Sequence, residues 1–128
     1  MAMRFTNTMS GKIEEFTPLE AGKVRMYHCG PTVYGYAHIG NYRAFLMGDL
    51  LRRLFDFRGL QVTQVMNITD VGHMTIDTDD AGEDKMEAAA KKEGKDPFEI
   101  ARYYEKAFFE DLDALCIRRA HHYPRASE

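Results

Sequence analysis

Residues Cys29 to Arg43 read C-G-P-T-V-Y-G-Y-A-H-I-G-N-Y-R, and this stretch separates two segments with different hydrophobic periodicity. The segment before it, Val24 to His28, alternates as a β-strand does, whereas the segment after it has helical spacing. Anion-binding sites in α/β proteins often lie where a strand is followed by the N-terminus of a helix. The stretch therefore predicts a binding site at a strand-to-helix junction.

The helix after this junction is predicted from Gly40 to Arg58, with Gly59 just past its C-terminus. The apolar side chains that we expect to pack on a sheet recur at helical spacing: Met47, Leu50, Leu51 and Leu54. Phe45, Leu46 and Phe55 widen this apolar side. A charged set follows the same spacing two residues along and predicts a solvent-exposed face with internal ion pairs: Asp49, Arg52, Arg53 and Asp56.

A second strand is predicted from Gln61 to Ile68, which completes a strand–helix–strand unit of about 45 residues. Such a unit forms a right-handed, parallel βαβ motif. Before it, two short strands flank Ser10-Gly11 and predict a hairpin. The predicted fold class is α/β: a hairpin and loop over 1–23, a βαβ core over 24–70, and an acidic loop with helices over 71–128. A parallel unit with bare sheet edges is normally continued, so this single domain is expected to be the first half of a larger one.

The C-terminal half is predicted to contain a loop over 69–84, a short polar helix over 83–93, and a longer helix capped by Asp96-Pro97. The apolar stripe of the longer helix is predicted to contain Ala101, Tyr104, Phe108 and Leu115. We expect Cys116 to be a small core residue. The residues from Arg118 onward carry no helix or strand signal and are expected to form a solvated basic tail.

The overall composition narrows the functional classes. A net charge of −3 does not favour a dedicated nucleic-acid-binding module. Two cysteines among 128 residues do not form a disulfide framework, which favours a reducing, cytoplasmic location. The sequence shows neither a signal peptide nor a run approaching the ~20 apolar residues of a membrane span.

The chemistry of the junction centres on His38, Gly40 and Asn41. The first turn of a helix offers unpaired N–H groups and a positive potential to a phosphate, and Gly40 lets a flat group approach the backbone. From the motif alone, His38 is equally well explained as a helix cap. The second strand ends beside this turn in N-I-T-D at Asn67 to Asp70, and the carboxyl ends of parallel strands open onto one crevice.

The segment V-R-M-Y-H-C-G-P-T-V-Y-G-Y-A-H-I-G-N-Y-R-A-F, together with N-I-T-D and the final P-R-A-S-E, resembles the start of the catalytic domain of cysteinyl-tRNA synthetases, which are class I aminoacyl-tRNA synthetases. The resemblance covers essentially the whole chain. It implies a Rossmann-like fold of the HUP type. The H-I-G-H tetrad alone is widely shared, whereas C-G-P-T-V-Y just before it is much more specific.

The resemblance implies that Thr32, His38, Gly40 and Asn41 bind ATP. His38 and Asn41 would also be catalytic, by stabilising the adenylate as it forms. Asn41 replaces the second His that is commoner in the family, and we expect little loss of the role.

The resemblance also implies that Cys29, Gly30 and Thr69 bind the amino acid, and that Cys29 is the first ligand of a catalytic zinc. Size alone would separate cysteine from serine by only ~1–3 kcal/mol, whereas a soft metal–thiolate bond separates sulfur from oxygen directly. The family's other three zinc ligands and its second ATP signature would lie beyond residue 128, so we expect this chain alone to be inactive or very weak.

The implied reaction is ATP-dependent activation of L-cysteine, with magnesium, followed by transfer to tRNA(Cys), in a protein that is a monomer at full length. Two alternatives stay open: a paralogous ligase that joins activated cysteine to an amino sugar, and a truncated, non-catalytic nucleotide-binding module. The role of His73 stays open as well. The acidic loop over 77–84 lacks the ligands of a calcium-binding EF-hand and is expected to be solvated.

Overall fold

The computed structural model describes residues 2–71 and 96–128. In chain order the elements are β1 (Arg4–Asn7), β2 (Lys12–Glu15), β3 (Lys23–His28), α1 (Ile39–Phe57), β4 (Gln61–Met66) and α2 (Pro97–Ala114). The predicted polar helix over 83–93, His73, the acidic loop over 77–84 and most of the predicted loop over 69–84 lie outside the described residues.

The predicted hairpin is confirmed by the antiparallel pairing of β1 with β2. Gly11 closes it with a φ of 67°, a left-handed conformation that favours glycine. The rings of Phe5 and Phe16 lie 5.7 Å apart, edge to face, and each also contacts Phe55. These contacts dock the hairpin on the C-terminal half of α1.

The predicted βαβ unit is also confirmed. β3 and β4 are parallel, with a register that runs from Lys23 opposite Gln61 to His28 opposite Met66, and α1 connects them. α1 ends where the sequence predicted, because Gly59 follows the C-cap with a φ of 75°. The unit therefore brings the carboxyl ends of two parallel strands to the N-terminal end of α1.

The predicted packing face of α1 is wrong for most of its central stripe. Leu51 is half-buried, and Phe45 and Phe55, which were predicted to widen the stripe, are buried as expected. Met47, Leu50 and Leu54 are 59%, 53% and 38% exposed, whereas the buried residues of the helix are Tyr42, Phe45, Gly48, Asp49 and Phe55. The two stripes are about two residues out of phase, which is roughly 200° around a helix of 3.6 residues per turn. Both repeat at helical spacing, so periodicity did not determine which one faces the sheet.

The charged face of α1 is as predicted only in part. Arg53 and Asp56 are exposed and Arg53 pairs with Asp49 within the helix, but Asp49 itself is buried. Asp49 is only 2% exposed, and its carboxylate accepts hydrogen bonds from Arg53 Nε (2.7 Å) and from the backbone N–H of Arg118 (3.2 Å). Arg52 donates to the carbonyl of Arg119 (2.7 Å). This face of α1 therefore packs against the segment that follows α2.

Replacing Asp49 by asparagine is expected to lower the free energy of unfolding by roughly 2 kcal/mol, because a buried hydrogen bond to a charged group is lost. Denaturant unfolding measures the change. The matched control is Asp56→Asn on the same helix. Asp56 pairs with Arg118, and both side chains are exposed, so this ion pair is worth at most ~1 kcal/mol. Equal losses in the two variants would contradict a special contribution from the buried carboxylate.

The segment after α2 is not the solvated tail that the sequence predicted. It runs parallel to β4 through bridges that pair Val65 with His122 and Ile68 with Arg125. The N–H of Ile68 donates to the carbonyl of Pro124 at 2.8 Å. The pairing uses backbone groups, and the side-chain pattern of these residues gave no strand signal.

The arginines of this segment are paired in the described part of the chain. Arg118 contacts Asp56, Arg119 contacts Asp113, and Arg125 contacts Glu105 and Glu128. Cys116 is exposed and has a φ of 55° just past α2, so its assignment to the core is wrong. It takes the position where helices commonly end in a left-handed residue.

The main core lies between α1, β4 and α2. Its buried members are Tyr42, Phe45, Met66, Phe108, Leu112 and Ile117. A second cluster of Val33, Ile68 and Ala101 lies beneath the junction between β3 and α1. Asp96 caps α2 as predicted, by accepting from the N–H of Phe98 at 3.2 Å. Among the described residues, neither helix is apolar enough over sufficient length to cross a membrane.

Candidate functional site

Gly30, just after β3, makes a close contact with Asn67, just after β4. Its N–H donates to Asn67 Oδ1 at 3.0 Å, and Asn67 Nδ2 in turn donates to Thr69 Oγ1 at 3.0 Å. A Cβ added to Gly30 would lie 1.9 Å from the carbonyl oxygen of Asn67 and 2.7 Å from Met66 Cγ. Only glycine allows the two backbones to approach this closely, so the residue has a structural role at the strand ends.

Parallel pairing resumes just beyond this contact. The N–H of Thr69 donates to the carbonyl of Pro31, and the N–H of Val33 donates to the carbonyl of Thr69, each at 3.0 Å. Thr32 and Thr69 are therefore bridge partners, and both are half-buried. The structure brings the two predicted site threonines side by side.

His38 is the N-cap of α1. Its Nδ1 accepts from the N–H of Gly40 at 3.0 Å, and its own N–H donates to Asn41 Oδ1 at 3.0 Å, which together form a reciprocal capping box. Because Nδ1 is an acceptor, a neutral imidazole carries its proton on Nε2. His38 is exposed, so one nitrogen caps the helix and the other is available as a donor.

Gly40 has a second reason to be glycine besides the approach of a ligand. A Cβ at this position would lie 2.8 Å from Cε1 and 3.0 Å from Nδ1 of His38. The ring of His38 would therefore have to move out of its capping position. The absence of a side chain at residue 40 thus leaves room for the capping orientation of the imidazole.

A cleft of about 200 Å³ lies at this end of the sheet. It is lined by Gly30, Pro31, Thr32, Tyr34, Gly35, Tyr36, Ala37, His38 and Asn41. Of the predicted site residues, Gly30, Thr32, His38 and Asn41 line it, whereas Cys29, Gly40 and Thr69 do not. Within the described residues no carboxylate lines the cleft, which suits an anion at the positive end of α1.

A buried polar network lies behind the junction and was not predicted. Gln64 is only 1% exposed, and its Oε1 accepts a hydrogen bond from Arg52 at 3.3 Å. Its amide Nε2 therefore faces His28 and donates to His28 Nε2 at 2.6 Å. Burial lowers the pKa of His28. The His28 ring also packs against α1, where only a glycine at position 48 leaves room for it.

Asp70 anchors the end of the N-I-T-D segment. It is 5% exposed and accepts from the N–H of Ser127 at 3.0 Å and from its hydroxyl at 2.6 Å. The segment after α2 thereby holds the loop that carries Thr69. Asp70 ends the N-I-T-D segment and Ser127 lies in P-R-A-S-E. No local pattern predicts a contact between two residues that are 57 positions apart.

Cys29 is a free, exposed thiol at the end of β3. In the described ranges, 2–71 and 96–128, no group of three or more His, Cys, Asp or Glu side chains could hold a metal ion. A thiolate is a suitable zinc ligand, but a single donor does not make a site. The described residues alone therefore do not fit a zinc ion.

Comparison with known proteins gives one consistent result. Residues 15–128 match the family model for the catalytic domain of class I (C) tRNA synthetases. The chain is 48% identical over 126 residues to a cysteine–tRNA ligase of Novosphingobium aromaticivorans, covering 98% of this chain and 25% of that protein. The protein of the same name from Treponema denticola is 52% identical over 119 residues, covering 93% of this chain and 24% of that protein. The one from Zymomonas mobilis is 53% identical over 113 residues, covering 88% of this chain and 22% of that protein. The chain thus spans about a quarter of the length of the curated relatives that it matches.

Proposed function

The chain belongs to the family of class I (C) tRNA synthetase catalytic domains, and from this premise we propose that it supplies the ATP-binding part of a cysteine–tRNA ligase. The whole reaction would be ATP-dependent activation of L-cysteine, with magnesium, and its transfer to tRNA(Cys). The observation that carries the proposal is the exposed His38 at the N-terminus of α1, in a cleft that no described carboxylate lines.

The phosphate groups of ATP would bind at the first turn of α1. His38 caps the helix through Nδ1, which leaves Nε2–H to donate to charge that develops on the α-phosphate during attack by the cysteine carboxylate. Asn41 uses its oxygen for the capping box, so its amide nitrogen remains a donor toward the same group. Thr32 and Gly40 complete the proposed ATP-binding set.

The amino acid would bind at the strand ends, beside Cys29, Gly30 and Thr69. The hydrogen bond from Asn67 to Thr69 and the close approach of Gly30 connect these strand ends. We propose Cys29 as one zinc ligand, with the others supplied by parts of the polypeptide outside these 128 residues. When bound, zinc would select the substrate thiol over a hydroxyl.

Residues 1–128 would form one domain, the N-terminal half of a Rossmann-like, HUP-type nucleotide-binding domain. The parallel pair β3 and β4 with α1 between them supports this assignment. The full-length protein would be a cytoplasmic monomer, with ATP, cysteine and tRNA(Cys) as its partners.

A chimeric ligase tests the proposed function. The 126 matched residues of the Novosphingobium aromaticivorans ligase are replaced by this chain, and ATP–pyrophosphate exchange is measured with cysteine. We expect cysteine-dependent exchange comparable to that of the parent ligase, with serine as the control substrate giving none. A folded chimera that binds ATP but shows no cysteine-dependent exchange would instead support a non-catalytic nucleotide-binding module.

A further inference from the structure

The side-chain amide of Asn67 lies at the centre of the contacts between the two strand ends. Its Oδ1 accepts from the backbone N–H of Gly30 at 3.0 Å and from the hydroxyl of Tyr27 at 2.9 Å. Its Nδ2 donates to Thr69 Oγ1 at 3.0 Å. Burial alternates along this segment, which places Asn67 and Thr69 on the same, half-buried face. The amide therefore connects the end of β3 to a threonine of the proposed amino-acid site.

The orientation of this amide is fixed by its contact with Gly30. A backbone N–H can only donate, so the amide atom that faces it must be the oxygen. The amide nitrogen then faces Thr69, and because it also can only donate, Thr69 Oγ1 is the acceptor. The single proton of the Thr69 hydroxyl is thereby directed away from Asn67. Among residues 2–71 and 96–128, no protein acceptor takes that proton.

We propose that Asn67 is a positioning residue, which presents the Thr69 hydroxyl as a hydrogen-bond donor to the carboxylate of the bound amino acid. This inference rests on the proposed binding of the amino acid beside Thr69. An ammonium group can only donate, whereas a carboxylate can only accept. A hydroxyl that already accepts from Asn67 and has its proton free is therefore matched to the carboxylate. Such a bond to a charged group is stronger than a neutral one, so its direction affects the affinity for the amino acid.

Asn67→Asp reverses this hydrogen bond with little change of shape. One carboxylate oxygen keeps the contacts with Gly30 and Tyr27, whereas the other accepts where Nδ2 donated, so the Thr69 hydroxyl turns toward the new carboxylate. In the chimeric ligase, we expect the KM for cysteine in ATP–pyrophosphate exchange to rise at least about tenfold, the scale of one hydrogen bond to a charged group. The kcat of exchange and the KM for ATP should be unchanged, because the lost contact is a binding contact to the amino acid alone.

Cysteamine identifies the group of the substrate that the hydroxyl contacts. It carries the thiol and the amino group of cysteine without the carboxylate, and it is measured as a competitor of cysteine in the same assay. Its inhibition constant should not rise in Asn67→Asp. A rise parallel to that of the KM for cysteine would assign the effect to the thiol or the amino group and overturn the proposal.

Two further variants separate positioning from the added charge and from a general disturbance of the strand ends. In a Thr69→Val background the hydroxyl is absent, so Asn67→Asp should raise the KM for cysteine no further. An equal rise in both backgrounds would be an effect of charge and would contradict the proposal. Tyr27→Phe is the matched control, since it removes one donor to Oδ1 and leaves Gly30 to orient the amide. Its KM for cysteine should equal that of the parent chimera.

Failure of this inference and failure of the proposed function give different results. If the parent chimera exchanges with cysteine and Asn67→Asp has an unchanged KM, the proposed function stands and the positioning role fails. If the folded parent chimera shows no cysteine-dependent exchange, the proposed function fails and this inference fails with it. Thermal unfolding shows whether each variant is folded. If Asn67→Asp is unfolded, Asn67→Ser replaces it: the shorter side chain no longer reaches Thr69, so an unchanged KM for cysteine again overturns the proposal.

Discussion

Replacing Gly30 by alanine is expected to lower the free energy of unfolding by about 3 kcal/mol or more, at the upper end of the cost of overpacking. The new Cβ would lie 1.9 Å from the carbonyl oxygen of Asn67. That atom belongs to the backbone and cannot rotate away, so the ends of β3 and β4 must separate. The hydrogen bond from the N–H of Gly30 to Asn67 would be strained or lost as well. Denaturant unfolding followed by circular dichroism measures the change.

Gly35→Ala is the matched control for this prediction. A Cβ at Gly35 meets no atom within 4 Å, and its φ is not positive. The same substitution there should change the free energy of unfolding by no more than about 0.5 kcal/mol. If the two variants unfold at the same denaturant concentration, the close approach at Gly30 does not limit stability.

Replacing His38 by asparagine in the chimeric ligase is expected to lower the rate of cysteine-dependent exchange roughly a hundredfold or more, which is the usual cost of removing one donor to transition-state charge. Asparagine is among the best N-cap residues, so the start of α1 should be retained at nearly unchanged stability. The substitution therefore removes Nε2–H from the cleft and leaves the capping function in place. Exchange kinetics and thermal unfolding of the same preparation measure both effects.

His38→Ala is the companion variant. It removes the cap as well as the donor, so it should lose about 1 kcal/mol of stability in addition to the loss of exchange. If His38 served only as a cap, His38→Asn would exchange as the parent chimera does and only His38→Ala would be impaired. The sequence had presented capping and phosphate binding as competing explanations. The two roles are compatible, because the cap uses Nδ1 and the proposed phosphate contact would use Nε2.

The local elements could be predicted because each depends on residues close together in the chain. Gly11 and Gly59 have the left-handed conformations that their turns require, and Asp96 with Pro97 starts α2 as expected. The parallel pairing of β3 with β4 followed from the intervening helix, since a connection of that length permits a parallel neighbour. The motif at 29–43 likewise located the cleft, because strand ends and helix N-termini meet at one edge of a parallel sheet.

The sequence by itself determined the hairpin, the two described helices, the βαβ core, the position of the cleft and the family. Only the tertiary structure decided which stripe of α1 is buried, that the segment after α2 pairs with β4, and that Asp70 meets Ser127 beside the loop that carries Thr69. The physical reason is the range of the interactions. Turns, caps and helical periodicity act over a few residues, whereas the partner of each helix face and of each strand edge is chosen by contacts between residues about 60 positions apart.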